Sequence, residues 1–393
     1  MRTLSPFEAA LPARRSSRGA VGLTGVLLFC GALGLAQIAG PPRGPASFEA
    51  LAARAAAARD AGRLDQAVML YRQALAQRPS WEEGWWYLGT LLYDRDDYAA
   101  AAAAFEKELS LKPKTGDPYV MLGLCEAKLG RRATALRHLG QGRKIGLVHA
   151  ENLEQVMLFT QGMLLLEAGE FGPAQEALDA LARGGAEQDE LVVPLGLAVL
   201  GMKPSSLTGA DAHTREIVRR AGEAERHAAR REVQAAFEAY TELAGEAPQF
   251  HNVQFALGRF LLANHEDDKA VAAFEREIAN SPNHLLARLG IAGVLAATNP
   301  HAALPYAEQA VKLAPALGEA HFLLGSILVN LDQPARAVAE LEFAQRQQPG
   351  QARIYFPLSK AYGAIGRRED AERALKTFAR LHASAAGDTV SKP

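Results

Sequence analysis

The sequence predicts an all-α fold of stacked antiparallel helical hairpins, and three observations carry that expectation. Alanine dominates an apolar fraction of 49% while aromatics make up 7%, and alanine forms helix best because it loses no side-chain entropy and buries no polar group. Prolines fall at Pro79 and Pro113, then at Pro248, Pro282, Pro315 and Pro349, so neighbours within each set stand 33 or 34 residues apart. Alanines keep the same interval at Ala67, Ala101 and Ala135, at Ala236 and Ala270, and at Ala337 and Ala371. Each has an aromatic residue or leucine four positions on: Tyr71, Phe105, Leu139, Tyr240, Phe274, Leu341 and Leu375. A fixed period of this length means one supersecondary unit repeated. The 393 residues carry a formal net charge of −1, which leaves no global field to draw nucleic acid or anionic lipid.

Residues 1–18 form a basic segment, with Arg2, Arg14, Arg15 and Arg18 against Glu8. Residues 19–40 carry no charge, and the linker 41–47 contains Pro41-Pro42-Arg43-Gly44-Pro45, which cannot continue a helix. Two readings of the uncharged run stay open: a retained transmembrane anchor, or the apolar region of a cleaved signal sequence with a small-residue site at Gly34-Leu35-Ala36. The anchor is preferred, because the run exceeds an ordinary signal core and is just long enough to cross a bilayer. Cys30 follows Phe29, where a lipoprotein signal needs a small residue. Either reading keeps the arginines inside and places the repeats in the cell envelope, outside the cytoplasm. Membrane contact is then confined to residues 19–40. A third reading makes the run a dimerising helix of a cytoplasmic adaptor. Cys30 and Cys125 give no intrachain disulfide framework, so cysteine usage does not decide the compartment.

A third column lies upstream. Trp85-x-x-Leu88-Gly89 recurs as Tyr119-x-x-Leu122-Gly123 and His321-x-x-Leu324-Gly325. It recurs more loosely as Leu158-x-x-Gln161-Gly162, Gln254-x-x-Leu257-Gly258 and Tyr355-x-x-Leu358-Ser359. Two helices approach closely only where one offers Gly, Ala or Ser. Gly89-type and Ala101-type positions supply that approach, and Trp85, Leu88 and Phe105 fill the space beside them. The turn between helices carries Gly62, Asp96, Gly130, Gly169, Asp332 or Gly366, where positive φ costs glycine least. Proline near the end of the second helix stops it.

The pattern W-x-x-L-G, then A-x-x-x-F, then P resembles the tetratricopeptide repeat (TPR). Residues 82–115 fit best, with Trp85, Leu88, Gly89, Ala101, Phe105 and Pro113, although Leu92 replaces the usual tyrosine of the first helix. The resemblance implies a right-handed superhelical solenoid of antiparallel helix pairs, preceded by the apolar N-terminal helix, and covers most of residues 48–384. Nine repeats are expected: 48–81, 82–115, 116–149 and 155–188 (together 48–188), then 217–250, 251–284, 285–317, 318–351 and 352–384 (together 217–384). The fourth begins after five extra residues. The fifth lacks W-x-x-L-G and rests on Ala236, Tyr240 and Pro248, and the seventh is one residue short. Residues 385–393 read as a disordered tail.

Residues 189–216 break the register and read as an irregular helical connector. The apolar stretch 191–200 is too short to span a membrane. The loop 203–209 follows, and Asp211 suits the N-cap of the next helix. A degenerate repeat is preferred here over a hinge.

No catalytic motif is present, so the chain is expected to be no enzyme and to hold no cofactor or metal. Gly196-x-x-x-x-Gly201 is followed by Met202-Lys203 and cannot set a lysine on a phosphate. His265-Glu266-Asp267-Asp268 resembles a ligand cluster but sits where the sixth repeat must turn, and metal sites need convergent ligands. The run 215–231 mixes arginines with Glu216, Glu223 and Glu225 at helical spacing, which reads as a solvated face of i,i+4 pairs rather than a nucleic-acid surface. Cys125 reads as an inert buried thiol, and His251, His284 and His321 as surface or packing residues.

The resemblance also implies where a partner binds. In the family the first helices build a concave wall, and repeat positions 2, 5, 9, 12 and 13 face it. Position 5 gives Trp86, Val120, Phe159, Phe255, Phe322 and Phe356. The other positions give Glu83, Tyr93 and Asp94 in the second repeat, Asn252 and Arg259 in the sixth, and Asn330, Arg353 and Lys360 in the eighth and ninth. The same aromatics also fit an interhelical core. An apolar groove with polar flanks suits an extended peptide or a partner helix. A clamp for a terminal carboxylate is not expected, since Ala52 and Ala56 stand at the corresponding positions. The chain therefore reads as an envelope-anchored scaffold for other proteins or peptides, engaged in assembling an envelope complex. A cytoplasmic adaptor and a non-catalytic accessory domain of an enzyme system are the alternatives. The oligomeric state is not legible.

Overall fold

The computed structural model describes residues 46–148, 150–184 and 189–390. The basic segment, the apolar run 19–40 and Cys30 lie outside the described residues. Among those described, no helix is long and apolar enough to cross a membrane, and every regular element is helical. The helices fall in two compact blocks, one up to residue 186 and one from residue 187.

The first block holds four hairpins: α1 (Phe48–Asp60) with α2 (Leu64–Gln77), α3 (Glu82–Asp94) with α4 (Tyr98–Ser110), α5 (Asp117–Lys128) with α6 (Arg132–Ile145), and α7 (Ala150–Ala168) with α8 (Phe171–Arg183). The second begins with α9 (Val192–Val199), flanked by short 3-10 helices at Asp189–Leu191 and Pro204–Leu207. Then come α10 (Ala212–Ala229) with α11 (Val233–Glu246), α12 (Val253–Ala263) with α13 (Asp267–Asn280), and α14 (Leu285–Thr298) with α15 (Pro300–Leu313). The block closes with α16 (Gly318–Asn330), α17 (Pro334–Gln347), α18 (Ala352–Ala364) and α19 (Arg368–Val390). Within each block a second helix packs on the next first helix. First helices also meet one another, α3 with α5, α5 with α7, α14 with α16 and α16 with α18, and form a wall along these helices.

Five hairpins close on a glycine. A Cβ added to Gly89 would stand 2.6 Å from the Phe105 ring, one on Gly123 2.9 Å from Leu139, and one on Gly258 2.6 Å from Phe274. Gly325 meets Leu341 in the same way, and Gly162 meets Leu178. The last pair extends the alanine column to Ala174-x-x-x-Leu178 in the fourth repeat, where both residues are fully buried. The turns use left-handed backbone at Gly62, Asp96, Gly130, Gly169, Asp332 and Gly366, and also at Arg231 and His265. The seventh repeat is short because its turn is: Asn299 alone separates α14 from α15, and its side chain accepts from Ala302 N–H at 3.2 Å.

The proline column has a second role. Trp85 Nε1 donates to the Pro79 carbonyl at 2.8 Å, His321 Nε2 to Pro315 at 3.0 Å, and Tyr355 Oη to Pro349 at 2.7 Å. In these three motifs the first residue is a ring with a polar tip, and that tip satisfies the carbonyl left open where the preceding helix stops.

Four regions depart from simple repetition. The five extra residues before the fourth repeat lengthen α7 rather than looping out. In the connector, α9 crosses α10, which starts ahead of residue 217, with Asp211 accepting from Thr214 N–H at 2.7 Å. The crossing is at backbone contact: a Cβ on Gly196 would lie 1.9 Å from the Val218 carbonyl oxygen, and one on Gly222 1.8 Å from that of Val192. In the ninth repeat Leu375 is 50% exposed, and Ala374 and Phe378 take the packing positions instead. Ser359 stands there in place of the glycine that admits Leu341 one repeat earlier. Finally, α19 runs to Val390, beyond the expected start of a disordered tail, because Ala383, Ala385 and Ala386 continue to favour helix.

One buried acid is out of balance. Glu108 of α4 is 4% exposed, and its Oε2 has no hydrogen-bond partner. Burial, then Glu82 of α3 and Asp117 of α5, pushes its carboxyl up to about 8. Glu277, at the same repeat position in α13, instead accepts the N–H groups of Asn252 and Phe255 at 3.1 and 3.2 Å.

Three expectations follow for stability. Gly222→Val should cost about 1–3 kcal/mol in a denaturant titration through overpacking against backbone. Gly140→Ala, in open space on α6, should gain about 0.5–1 kcal/mol. Glu108 is neutral in folded and unfolded chains below its ordinary pKa of 4.5, and the fold loses stability as pH rises from there through about 8. Glu108→Gln should therefore raise stability by about 1–3 kcal/mol at pH 8.5 and change it little at pH 4.5, as thermal melts at the two pH values will register.

Candidate functional site

In the first block the first-helix wall opens into a cavity of about 210 Å3. It is lined by Tyr93 of α3, by Leu124, Ala127 and Lys128 of α5, and by Val156, Phe159, Thr160, Met163, Leu164 and Glu167 of α7. Two groove residues expected from the sequence meet here. Tyr93 is 7% exposed and packs edge-on against Tyr98 at 5.2 Å, while Phe159 is half-buried. Carrying the same repeat positions through the third and fourth repeats also picks out Leu124, Ala127, Lys128, Val156, Met163 and Glu167, which the sequence reading passed over. Trp86 is half-buried against the Phe105 ring at 5.8 Å, and Val120 is fully buried core. Glu83 and Asp94 are exposed.

In the second block the expected residues pair cations with rings. Arg353 of α18 stands 4.8 Å over the Phe322 ring of α16 and forms an ion pair with Glu319. Lys360 stands 4.6 Å over Phe356, which is 44% exposed and touches Phe378 at 5.7 Å. Arg259 is exposed, 5.9 Å over Phe255. Phe255 itself is buried between Phe274 and His284. Asn330 is exposed and donates to the Ala296 carbonyl at 2.9 Å, capping the end of α14.

Asn252 differs most from its expected place. It sits at φ 66°, buried, with Nδ2 donating to the Leu200 carbonyl at 2.6 Å and Oδ1 facing His284 Nε2 at 2.6 Å. It therefore ties the end of α9 to α12 and α14 instead of facing a groove. His284 accepts the Ala287 N–H at Nδ1, and burial lowers its pKa, which fixes a neutral ring that donates to Asn252. Asn252→Ala strands these partners and forces alanine to positive φ, so it should cost about 1–3 kcal/mol. Asn252→Gly should cost less, as chemical denaturation of both variants will show.

The other sequence features fall in ordinary places. His265 to Asp268 form the turn into α13 and its first residues. Among the described residues no group of three His, Cys, Asp or Glu could hold a metal. Cys125 is fully buried, with its thiol pushed up to about 12 by burial. Arg219 pairs with Glu216 and Glu223, and Arg220 with Glu242 and Glu246.

Hairpins closed on glycine, left-handed turns and a shared first-helix wall define a helical-repeat interaction fold. The tetratricopeptide repeat pattern matches residues 46–118, 222–284 and 294–355, half of the chain, and the chain belongs to the tetratricopeptide repeat family. No curated protein matches it. Among solved structures it is similar to MamA from Desulfovibrio magneticus RS-1, at 20% identity over 43% of this chain and 96% of that one, with a TM-score of 0.40. Another MamA structure aligns at 17% identity over 42% and 96%, with a TM-score of 0.39. YrrB, described as a TPR protein with an unusual peptide-binding site, aligns at 21% identity over 44% and 92%, with a TM-score of 0.39.

Proposed function

We propose that this chain is a non-catalytic scaffold that binds other proteins or peptides along the first-helix walls of its blocks. Residues 19–40 hold it at a membrane with the repeats outside the cytoplasm, where it serves the assembly of an envelope complex. Membership of a helical-repeat family supports the interaction role. The observation that carries it is the exposed Phe356 with Lys360 over its ring, next along the wall to Phe322 and Arg353. Core packing needs no such aromatic in solvent, whereas an apolar strip flanked by cations offers a partner both area and direction.

A photo-crosslinking residue at Phe356 should capture a discrete partner in living cells, and one at Leu313, exposed on the second helix α15, should not. Phe322→Ala with Phe356→Ala should lower recovery of that partner about tenfold without loss of helicity. Equal capture from both faces would refute the wall. A C-terminal alkaline phosphatase fusion should be active; inactivity with a fluorescing cytoplasmic reporter would refute the envelope placement and favour the adaptor.

A further inference from the structure

The first-block cavity allows a sharper statement about the ligand, resting on the reading of the first helices as a binding wall. We propose that this cavity takes one apolar side chain of leucine or methionine size from an extended peptide, and that a lysine or arginine stands beside that anchor in the peptide.

Size comes first. A volume of about 210 Å3 is below the roughly 300–1,000 Å3 of pockets that enclose small-molecule ligands, and suits a single side chain. The lining is apolar on three helices, with Leu124, Val156, Phe159 and Leu164 around the half-buried Met163. An unbranched thioether adapts its rotamer to what enters.

Charge selects the neighbour of the anchor. Asp94, Lys128 and Glu167 occupy the same repeat position on α3, α5 and α7, and the last two line the cavity. Lys128 already has a partner of its own, and Glu167 is paired with Arg132. Asp94 has neither ion pair nor hydrogen bond among the described residues. Partial desolvation raises its pKa above the usual carboxylate value, although the residue is exposed overall. Glu83, at a groove position on the same helix, likewise has no cation against it. Two acids on this wall, Asp94 and Glu83, therefore have no cation against them among the described residues, and a ligand cation beside Asp94 supplies one.

The test is a phage-displayed library of random dodecapeptides selected on the full chain, followed by fluorescence anisotropy with the labelled consensus peptide. Enriched sequences should pair Leu, Met or Phe with Lys or Arg close by. Met163→Lys and Thr160→Arg should each weaken the consensus peptide at least about tenfold with unchanged circular dichroism. Asp94→Lys should shift selection away from basic residues. Phe322→Ala with Phe356→Ala should leave this peptide's affinity unchanged. Binding that survives both cavity variants, or enrichment without the apolar–basic pairing, overturns the proposal. If binding is instead lost in the Phe322/Phe356 variant, the cavity assignment fails while the groove reading stands. A library that yields no binder overturns both.

Discussion

Every regular repeat depends on one contact, a first-helix glycine set against a large side chain of its own second helix. Gly89 against Phe105, Gly123 against Leu139, Gly162 against Leu178, Gly258 against Phe274 and Gly325 against Leu341 leave no room for a methyl group. The contact fixes the rotation of the first helix about its axis. Rotation in turn decides which residues face the wall: Phe159 and Phe322 stand where they do because Gly162 and Gly325, three residues on, face inward. Where the pair is altered, packing answers locally. Ala307 replaces the large residue in the seventh repeat, and Phe274 of the preceding repeat reaches across to Gly290. Ser359 replaces the glycine in the ninth, and Leu375 turns to solvent.

Polar groups left between repeats are satisfied by repetition as well. Polar-tipped rings at Trp85, His321 and Tyr355 close the carbonyls of the preceding prolines, so these three hairpins complete their neighbours' last turns. The buried acids Glu108 and Glu277 occupy one repeat position with opposite outcomes. Glu277 meets two backbone N–H groups at the start of α12, whereas Glu108 faces two other acids and keeps one oxygen unpaired. An identical position in a repeat is thus no guarantee of an identical energy, because the partner is the variable N-terminus of a first helix.

Much of this fold was legible in the sequence, because a 34-residue interval places the same contact again and again. The glycine and alanine columns and the turns at Gly62, Asp96 and Gly130 needed only local chemistry. Arg231 and His265 were not legible as left-handed turn residues, since positive φ is signalled by Gly, Asn or Asp. Nor was the crossing of Gly196 on Gly222, which belongs to no period and joins helices of different length. At the site, Tyr93 and Phe159 were found by register, but Asn252 was misplaced. Its amide is pulled inward by the end of α9, an element outside the repeat that no repeat-based rule contains.

The central claim is that the first helices, and not the second, form the binding surface. Hydrogen–deuterium exchange on the full chain, with and without its crosslinking-identified partner, tests this most directly. New protection is expected on first helices, α5 and α7 in one block or α16 and α18 in the other, with α6, α8 and α17 unchanged. Protection confined to the second helices, with the first helices unaffected, would contradict it.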